Sequence, residues 1–143
     1  MSKKTKLNED TPSKVSMFEY SGQDVPKNVT HVRFHPSVVE VDIEAFYNCK
    51  SLRGVVLNDG LKGIGKSAFE DCSALQSTNI PSTVTKIGMN AFEYCSSLRE
   101  IVLNEGLKEI GSYAFRGCES LQSINIPSTV TKIDNAAFYE CIN

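Results

Sequence analysis

Five cysteines and two histidines are the side chains of this sequence best suited to nucleophilic or metal chemistry. The cysteines recur at a constant step of 23 residues, and no C-x-x-C pair occurs among them. This spacing predicts one buried thiol in each of five units, packed as a small apolar side chain, in preference to disulfides or a zinc site. Free thiols of this kind favour a reducing compartment. The cysteines are Cys49, Cys72, Cys95, Cys118 and Cys141.

The two histidines, His31 and His35, lie four residues apart, in a segment that reads as a strand and the turn after it. In a strand that separation is ~13 Å, which is too long for two ligands of one metal ion. No carboxylate or thiol pattern completes a ligand set, and no nucleophile and base are paired along the sequence. The sequence therefore predicts surface histidines, no catalytic residues, no metal site and no cofactor.

The charge balance narrows the range of partners. The chain has 15 basic and 17 acidic side chains and a net charge of −2. This argues against nucleic acid or an anionic membrane as the partner, because both require a basic surface. No apolar stretch approaches the ~18 to 20 residues of a membrane span, and residues 1–14 lack the apolar region of a secretory signal. We therefore expect a cytoplasmic protein without membrane insertion, or a cell-surface protein if the chain is a fragment.

The elements that would position these residues are five repeated units. A phenylalanine precedes each cysteine by three residues and follows an alanine, at Phe46, Phe69, Phe92, Phe115 and Phe138. Within each unit a short alternating run predicts a strand, and a turn and a second short extended segment follow it. The Ala-Phe segment is too short for an independent helix, so we expect a single helical turn there.

Two columns of the repeat carry more specific expectations. Gly65, Gly88 and Gly111 end the second extended segment, where we expect a positive φ, which glycine adopts most readily. Thr78 is the one polar residue in an apolar strand column, and we expect it to be tolerated if its hydroxyl finds a backbone partner.

No single unit can bury its own apolar residues, so the units must stack. The predicted fold is mainly β with short helical turns, a solenoid of five 23-residue units. We expect a disordered polar tail at 1–14, an N-terminal cap at 15–28 that forms a strand or hairpin, and a solenoid at 29–143. Its units are 29–51, 52–74, 75–97, 98–120 and 121–143.

The last unit should expose the apolar edges of Ile124, Ile126 and Phe138. Such exposure would mean that the chain is a fragment of a longer array, or that a partner or a second copy covers this end.

These columns resemble the BspA-like class of leucine-rich repeats. The family pattern L-x-x-I-x-I-P-x-x-V-T-x-I-G-x-x-A-F-x-x-C is met by residues 75–95 apart from Thr78, and by residues 121–141 apart from Asp134. The resemblance covers about residues 25–143 and implies a curved right-handed solenoid whose strands line one concave sheet. Many family members are surface proteins of bacteria and protists that bind other proteins, and the family has no shared catalytic residues.

Side chains on or beside the outward face of the concave sheet are the candidate binding residues. The alternation of Arg and Gln before the strands offers hydrogen-bond donors to a carboxylate or a backbone carbonyl. An ordinary solvated sheet face is the alternative, since aromatic anchors are missing from this face. The sequence thus predicts a non-catalytic protein-binding module, with end-to-end assembly or a fragment of a cell-surface adhesin as alternatives. The candidate residues are Arg33, Arg53, Val56, Gln76, Asn79, Arg99, Glu100, Val102, Gln122 and Asn125.

Overall fold

The structure is a computed structural model, and it describes residues 16–141. Within that range the chain forms ten short strands and no helix. The strands are β1 (Met17–Tyr20), β2 (His31–Phe34), β3 (Glu40–Val41), β4 (Gly54–Val56), β5 (Gly63–Ile64), β6 (Ser77–Ile80), β7 (Lys86–Ile87), β8 (Glu100–Leu103), β9 (Glu109–Ile110) and β10 (Lys132–Ile133).

These strands build two parallel sheets. The first sheet has the order β1-β2-β4-β6-β8, and the second has the order β3-β5-β7-β9-β10. Outside the β1–β2 pair, strand residues that pair are 23 positions apart in sequence, as with Thr78 and Ile101 in the first sheet and Ile87 and Ile110 in the second. Each unit therefore lies on the one before it, and the predicted solenoid of 23-residue repeats is confirmed.

A ladder of phenylalanine rings fills the centre of the stack. Successive rings from Phe46 to Phe138 are 5.0, 5.2, 5.4 and 5.3 Å apart, and neighbouring planes differ by at most 8°. The first four of these rings are fully buried. Burial of a large apolar side chain contributes about 1.5–3 kcal/mol, so the column accounts for a substantial share of the stability of the stack.

The Ala-Phe segments, which we expected to form helical turns, are turns without helix. In the third unit Asn90 and Tyr94 have φ values of 61°, and the equivalent residues of the other units also have positive φ. Two left-handed residues four positions apart prevent a continuous right-handed helix. Instead, the amides of Asn90, Phe92 and Tyr94 donate to carbonyls of the next unit at 3.0, 2.8 and 2.7 Å. The turns thus form a third ladder between units.

The expectation of positive φ at Gly65, Gly88 and Gly111 is wrong. The positive-φ glycines among the described residues are elsewhere. The column needs glycine because the preceding unit approaches too closely. A Cβ at Gly65 would lie 2.6 Å from the carbonyl oxygen of Val41, and one at Gly88 would lie 2.9 Å from that of Ile64. The requirement is space rather than conformation.

The N-terminal cap is a strand. β1 pairs in parallel with β2, which excludes the hairpin alternative, because a hairpin would be antiparallel. Tyr20 is buried with its ring centroid 4.8 Å from that of Phe34 and 5.0 Å from that of Phe46. The cap therefore covers the aromatic column at its first unit. The tail predicted at 1–14 lies outside the described residues.

The fifth unit is joined to the stack by one sheet only. β10 pairs with β9, but residues 121–126 form no strand beside β8. Ile126 and Ile133 are exposed, whereas Ile124 and Phe138 are half-buried. The apolar edge expected at this unit is therefore present, and it is largest at the two exposed isoleucines.

Candidate functional site

The candidate site is the outward surface of the first sheet, which we call the first-sheet face. Side chains alternate along a strand, so every second residue of each strand points away from the core. In β6 and β8 this alternation is strict, with Thr78 and Ile80 inward and Ser77 and Asn79 outward. The outward residues of the five strands are Met17, Glu19, His31, Arg33, Gly54, Val56, Ser77, Asn79, Glu100 and Val102.

Five of the predicted binding residues lie on strands of this face. Arg33 pairs in register with Val56, and Asn79 pairs with Val102, which brings polar and apolar side chains side by side. Glu100 is paired with Ser77. Val56 is 56% exposed and Val102 is 40% exposed, so the face presents apolar surface to solvent.

The Arg and Gln residues precede the strands and stack on one another. The backbone amide of Gln76 donates to the carbonyl of Arg53 at 3.2 Å, and that of Arg99 donates to Gln76 at 2.9 Å. The Arg99 guanidinium also donates to the side-chain oxygen of Gln76 at 3.0 Å. Arg99 is therefore oriented by its neighbour, and both arginines are exposed along one edge of the face.

Gln122 and Asn125 are not placed as the sequence predicts. Both are exposed and belong to residues 121–126, which do not pair with β8. Of the four residues in the predicted Arg and Gln alternation, Arg53, Gln76 and Arg99 therefore directly precede strands of the first sheet. The fifth unit does not extend the first-sheet face. The repeat pattern gave no warning, because residues 121–126 match their column as well as residues 75–80 do.

A shallow depression of about 330 Å³ opens over Gly54. Met17 of the cap, His31 and Val56 line it together with residues of β6 and β8. A Cβ at Gly54 would lie 3.2 Å from the His31 ring, so the missing side chain leaves room beside the imidazole. Met17 was missed in the sequence because its strand was assigned only to the cap.

The five cysteines are free thiols, and all but Cys49 donate to a backbone carbonyl of the preceding unit. The Sγ atoms of Cys72, Cys95 and Cys118 donate to phenylalanine carbonyls at 3.1, 3.2 and 3.2 Å. Burial raises the pKa of the Cys72 and Cys95 thiols, so they stay protonated near neutral pH and are not nucleophiles. Within residues 16–141 no group of three or more His, Cys, Asp or Glu side chains is arranged to hold a metal ion.

One charged cluster was missed by the sequence analysis. The Arg116 guanidinium lies over the rings of Tyr94, Tyr113 and Tyr139, at 5.4, 5.3 and 5.6 Å from their centroids. It also pairs with Glu93 at 3.3 Å and Glu140 at 3.4 Å. These residues come from three units, so the cluster links the third, fourth and fifth units across their turns. The tyrosines do not share one repeat column, which is why the pattern did not group them.

Three solved structures are similar to this chain. A leucine-rich repeat protein of T. pallidum has 32% identity and a TM-score of 0.79, with 92% of this chain and 62% of that one covered. A leucine-rich repeat protein from Bacteroides ovatus has 27% identity and a TM-score of 0.60, with 88% of this chain and 39% of that one covered. A leucine-rich cell surface protein from Faecalibacterium prausnitzii has 27% identity and a TM-score of 0.57, with coverages of 92% and 49%.

The chain therefore spans less than two thirds of the length of each of these proteins. No curated protein matches it significantly. The part of the chain that the structure describes contains no helix able to cross a membrane. The sequence model of the BspA type leucine-rich repeat region matches residues 24–143 in six copies. With the two-sheet stack, the phenylalanine ladder and this match over most of the sequence, the chain belongs to the BspA-type leucine-rich repeat family.

Proposed function

We propose that this chain is a non-catalytic module that binds another protein through the first-sheet face. The observation that carries the proposal is the exposed apolar pair Val56 and Val102 on strands bordered by Arg53 and Arg99. Exposed apolar surface with a charged border is typical of protein interaction sites. The membership in a repeat family of interaction modules supports the same role.

The chemistry of the face favours a partner with acidic or carbonyl groups next to apolar side chains. Arginine makes charge-assisted, often bidentate bonds with carboxylates, and Arg99 is already oriented by Gln76. The depression over Gly54 has room for one small side chain beside Val56 and Met17. Each strand adds the same pair of outward positions, so a partner would contact several units at once.

The test reverses the charges of the arginine edge. The immobilised chain is first used to capture binding proteins, and the most abundant of them is purified. Its affinity for the chain is then measured by calorimetry. The double variant R53E/R99E should lose at least about 1.4 kcal/mol of binding free energy, which is a tenfold change in Kd. A charge-matched control, K50E/K108E, changes two exposed lysines away from this face and should bind as the parent does. Equal binding by both variants would refute the proposal.

The similarity to the Faecalibacterium prausnitzii cell surface protein favours a protein-binding role at the cell surface, as an adhesin. The expected cytoplasmic location is the alternative, and a fractionation of the native organism with an antibody to the chain separates the two. Signal in the surface fraction supports an adhesin. Signal confined to the cytosol supports an internal binding module.

End-to-end assembly is a second candidate, and the fifth unit favours it. Residues 121–126 leave the outer edge of β8 without a strand partner, and Ile126 and Ile133 of the fifth unit are exposed. Unpaired edges and exposed apolar residues promote association. Light scattering over a concentration series tests this, with I126D/I133D as the comparison. Oligomers that the variant abolishes support assembly, and a monomer at all concentrations removes it.

A further inference from the structure

The second sheet carries a trough that the first-sheet proposal does not use. It has a volume of about 550 Å³ and crosses β3, β5 and β7. Its floor includes Gly63, Gly65 and Gly88, and at the last two the preceding unit lies too close for a Cβ. Its walls include Ile43, which is 67% exposed, and Met89, which is 45% exposed.

Three lysines surround this floor, and we call the feature the lysine trough. Lys62, Lys66 and Lys86 line it against a single acidic residue, Glu40. The Glu40 carboxylate lies over Gly63, since a Cβ built there would be 2.5 Å from its nearer oxygen. Among residues 16–141, none of the ion pairs within 4.0 Å involves any of these three ammonium groups.

The sign of this charge is opposite to that of the chain as a whole. The net charge of the sequence is −2, whereas the lysine trough has three positive groups and one negative group. A local field of that kind attracts negatively charged ligands and raises their rate of encounter. Lysines without a close ion pair, beside exposed Ile43 and Met89, fit a ligand that offers both acidic and apolar side chains.

We propose that the lysine trough docks an extended acidic segment of a partner protein. Three neighbouring strands span about 10 Å at the spacing of a sheet, which is enough for one extended chain to lie across them. Nucleic acid fits less well, because single-strand sites use aromatic stacking and a longer basic track. The trough is lined by neither aromatic nor arginine side chains. This surface belongs to a different sheet from the first-sheet face and does not depend on it.

The experiment is an NMR titration of the isotope-labelled chain. The probe is an acetylated peptide of alternating composition, Glu-Val-Glu-Glu-Val-Glu, and the matched control peptide has Gln in place of every Glu. The amides of Gly63, Gly65 and Gly88 should shift and saturate with the acidic peptide and not with the control. Added salt should weaken the effect, because exposed charges are screened.

Variants of the chain locate the binding. K62E/K66E/K86E should lower the affinity for the acidic peptide at least about tenfold, and K62Q/K66Q/K86Q should lower it less. K108E/K132E changes the lysine before β9 and a lysine of β10, both outside the trough, and should retain binding. Unchanged melting temperatures show that the variants are folded.

Three results would overturn the proposal. The first is no shift at the three glycines at millimolar acidic peptide. The second is an equal response to the Gln peptide, which would remove the role of charge. The third is tighter binding of a single-stranded RNA of the same charge, which would assign the lysine trough to nucleic acid. Loss of first-sheet binding in R53E/R99E has no effect on any of these readouts, so the two proposals fail separately.

Discussion

The thiol of Cys95 donates a hydrogen bond to the carbonyl oxygen of Phe69, 26 residues earlier in the chain, at 3.2 Å. The same bond joins Cys118 to Phe92 and Cys72 to Phe46. The cysteine column therefore does more than fill space, because each of these three thiols gives a second hydrogen bond to a buried carbonyl that already accepts from a backbone amide. The small size of cysteine and its weak donor together explain why this residue recurs at that step.

Cys95→Ala should lower the free energy of unfolding by about 1–3 kcal/mol, since it leaves a cavity and removes one of the two donors to the Phe69 carbonyl. Cys49 is an internal control, because it is equally buried and its thiol makes no such bond among the described residues. Urea unfolding of Cys95→Ala and Cys49→Ala measures both. Equal losses would show that the bond contributes nothing.

The stability should fall at alkaline pH. Burial raises the pKa of Cys72 and Cys95, whereas the same thiols in the unfolded chain titrate near about 8.5. The fold therefore keeps its full stability below that pH, and each such thiol costs about 1.4 kcal/mol per further pH unit. Urea midpoints measured from neutral pH upward should fall, and fall less steeply in Cys95→Ala. Identical slopes in the two proteins would contradict the assignment to these thiols.

Thr78 occupies a position that is apolar in the other paired strands of the first sheet, and the sequence led us to expect that it is tolerated if its hydroxyl finds a backbone partner. That condition is not met, because the hydroxyl is buried without a hydrogen-bond partner. Thr78→Val should therefore raise the free energy of unfolding by about 1 kcal/mol, since valine has the same shape and no unsatisfied group. Thr85→Val, at an exposed threonine, should change it by less than about 0.5 kcal/mol. A destabilised Thr78→Val would argue for an undetected partner.

The glycine column gives a prediction based on space. An added Cβ at Gly88 would lie 2.9 Å from the carbonyl oxygen of Ile64 and 3.0 Å from the carbonyl carbon of Gly65, both backbone atoms that cannot rotate away. Gly88→Ala should cost about 1–3 kcal/mol, because the units must move apart. At Gly60 the nearest atom is 3.7 Å away, so Gly60→Ala should be close to neutral. Thermal unfolding of the two variants distinguishes them, and similar melting temperatures would exclude close stacking as the reason for the column.

Much of the fold was readable from the sequence because its signals are periodic. A column of identical residues at a constant step must coincide in space when units stack, so Phe69, Phe92 and Phe115 identified the core directly. The outward positions followed from the alternation of side chains along each strand, which placed Arg33, Val56 and Asn79 on one face.

The features that the sequence did not predict depend on distances between units, which the repeat pattern does not encode. The close approach at Gly88, the positive φ of Tyr94 and the unsatisfied hydroxyl of Thr78 are all set by the height of one unit above another. Contacts between residues of different repeat columns could not be predicted either, as with Arg116, which contacts tyrosines from three units. The missing pairing of residues 121–126 has no counterpart in the sequence pattern.

The turn ladder has a fixed polarity along the axis of the stack. Every amide of that ladder donates toward the following unit, as Phe92 does to Ala114, so the bond dipoles within the ladder add. Amides beside the two sheets donate toward the preceding unit, as Gly88 does to Ile64, and their dipoles oppose those of the ladder. In the first unit the ladder therefore presents carbonyl oxygens that no amide of a preceding turn reaches, and the Lys27 ammonium donates to one of them, the Tyr47 carbonyl, and lies 5.7 Å from the centroid of the Tyr47 ring. A positive charge thus caps a carbonyl at the start of the ladder.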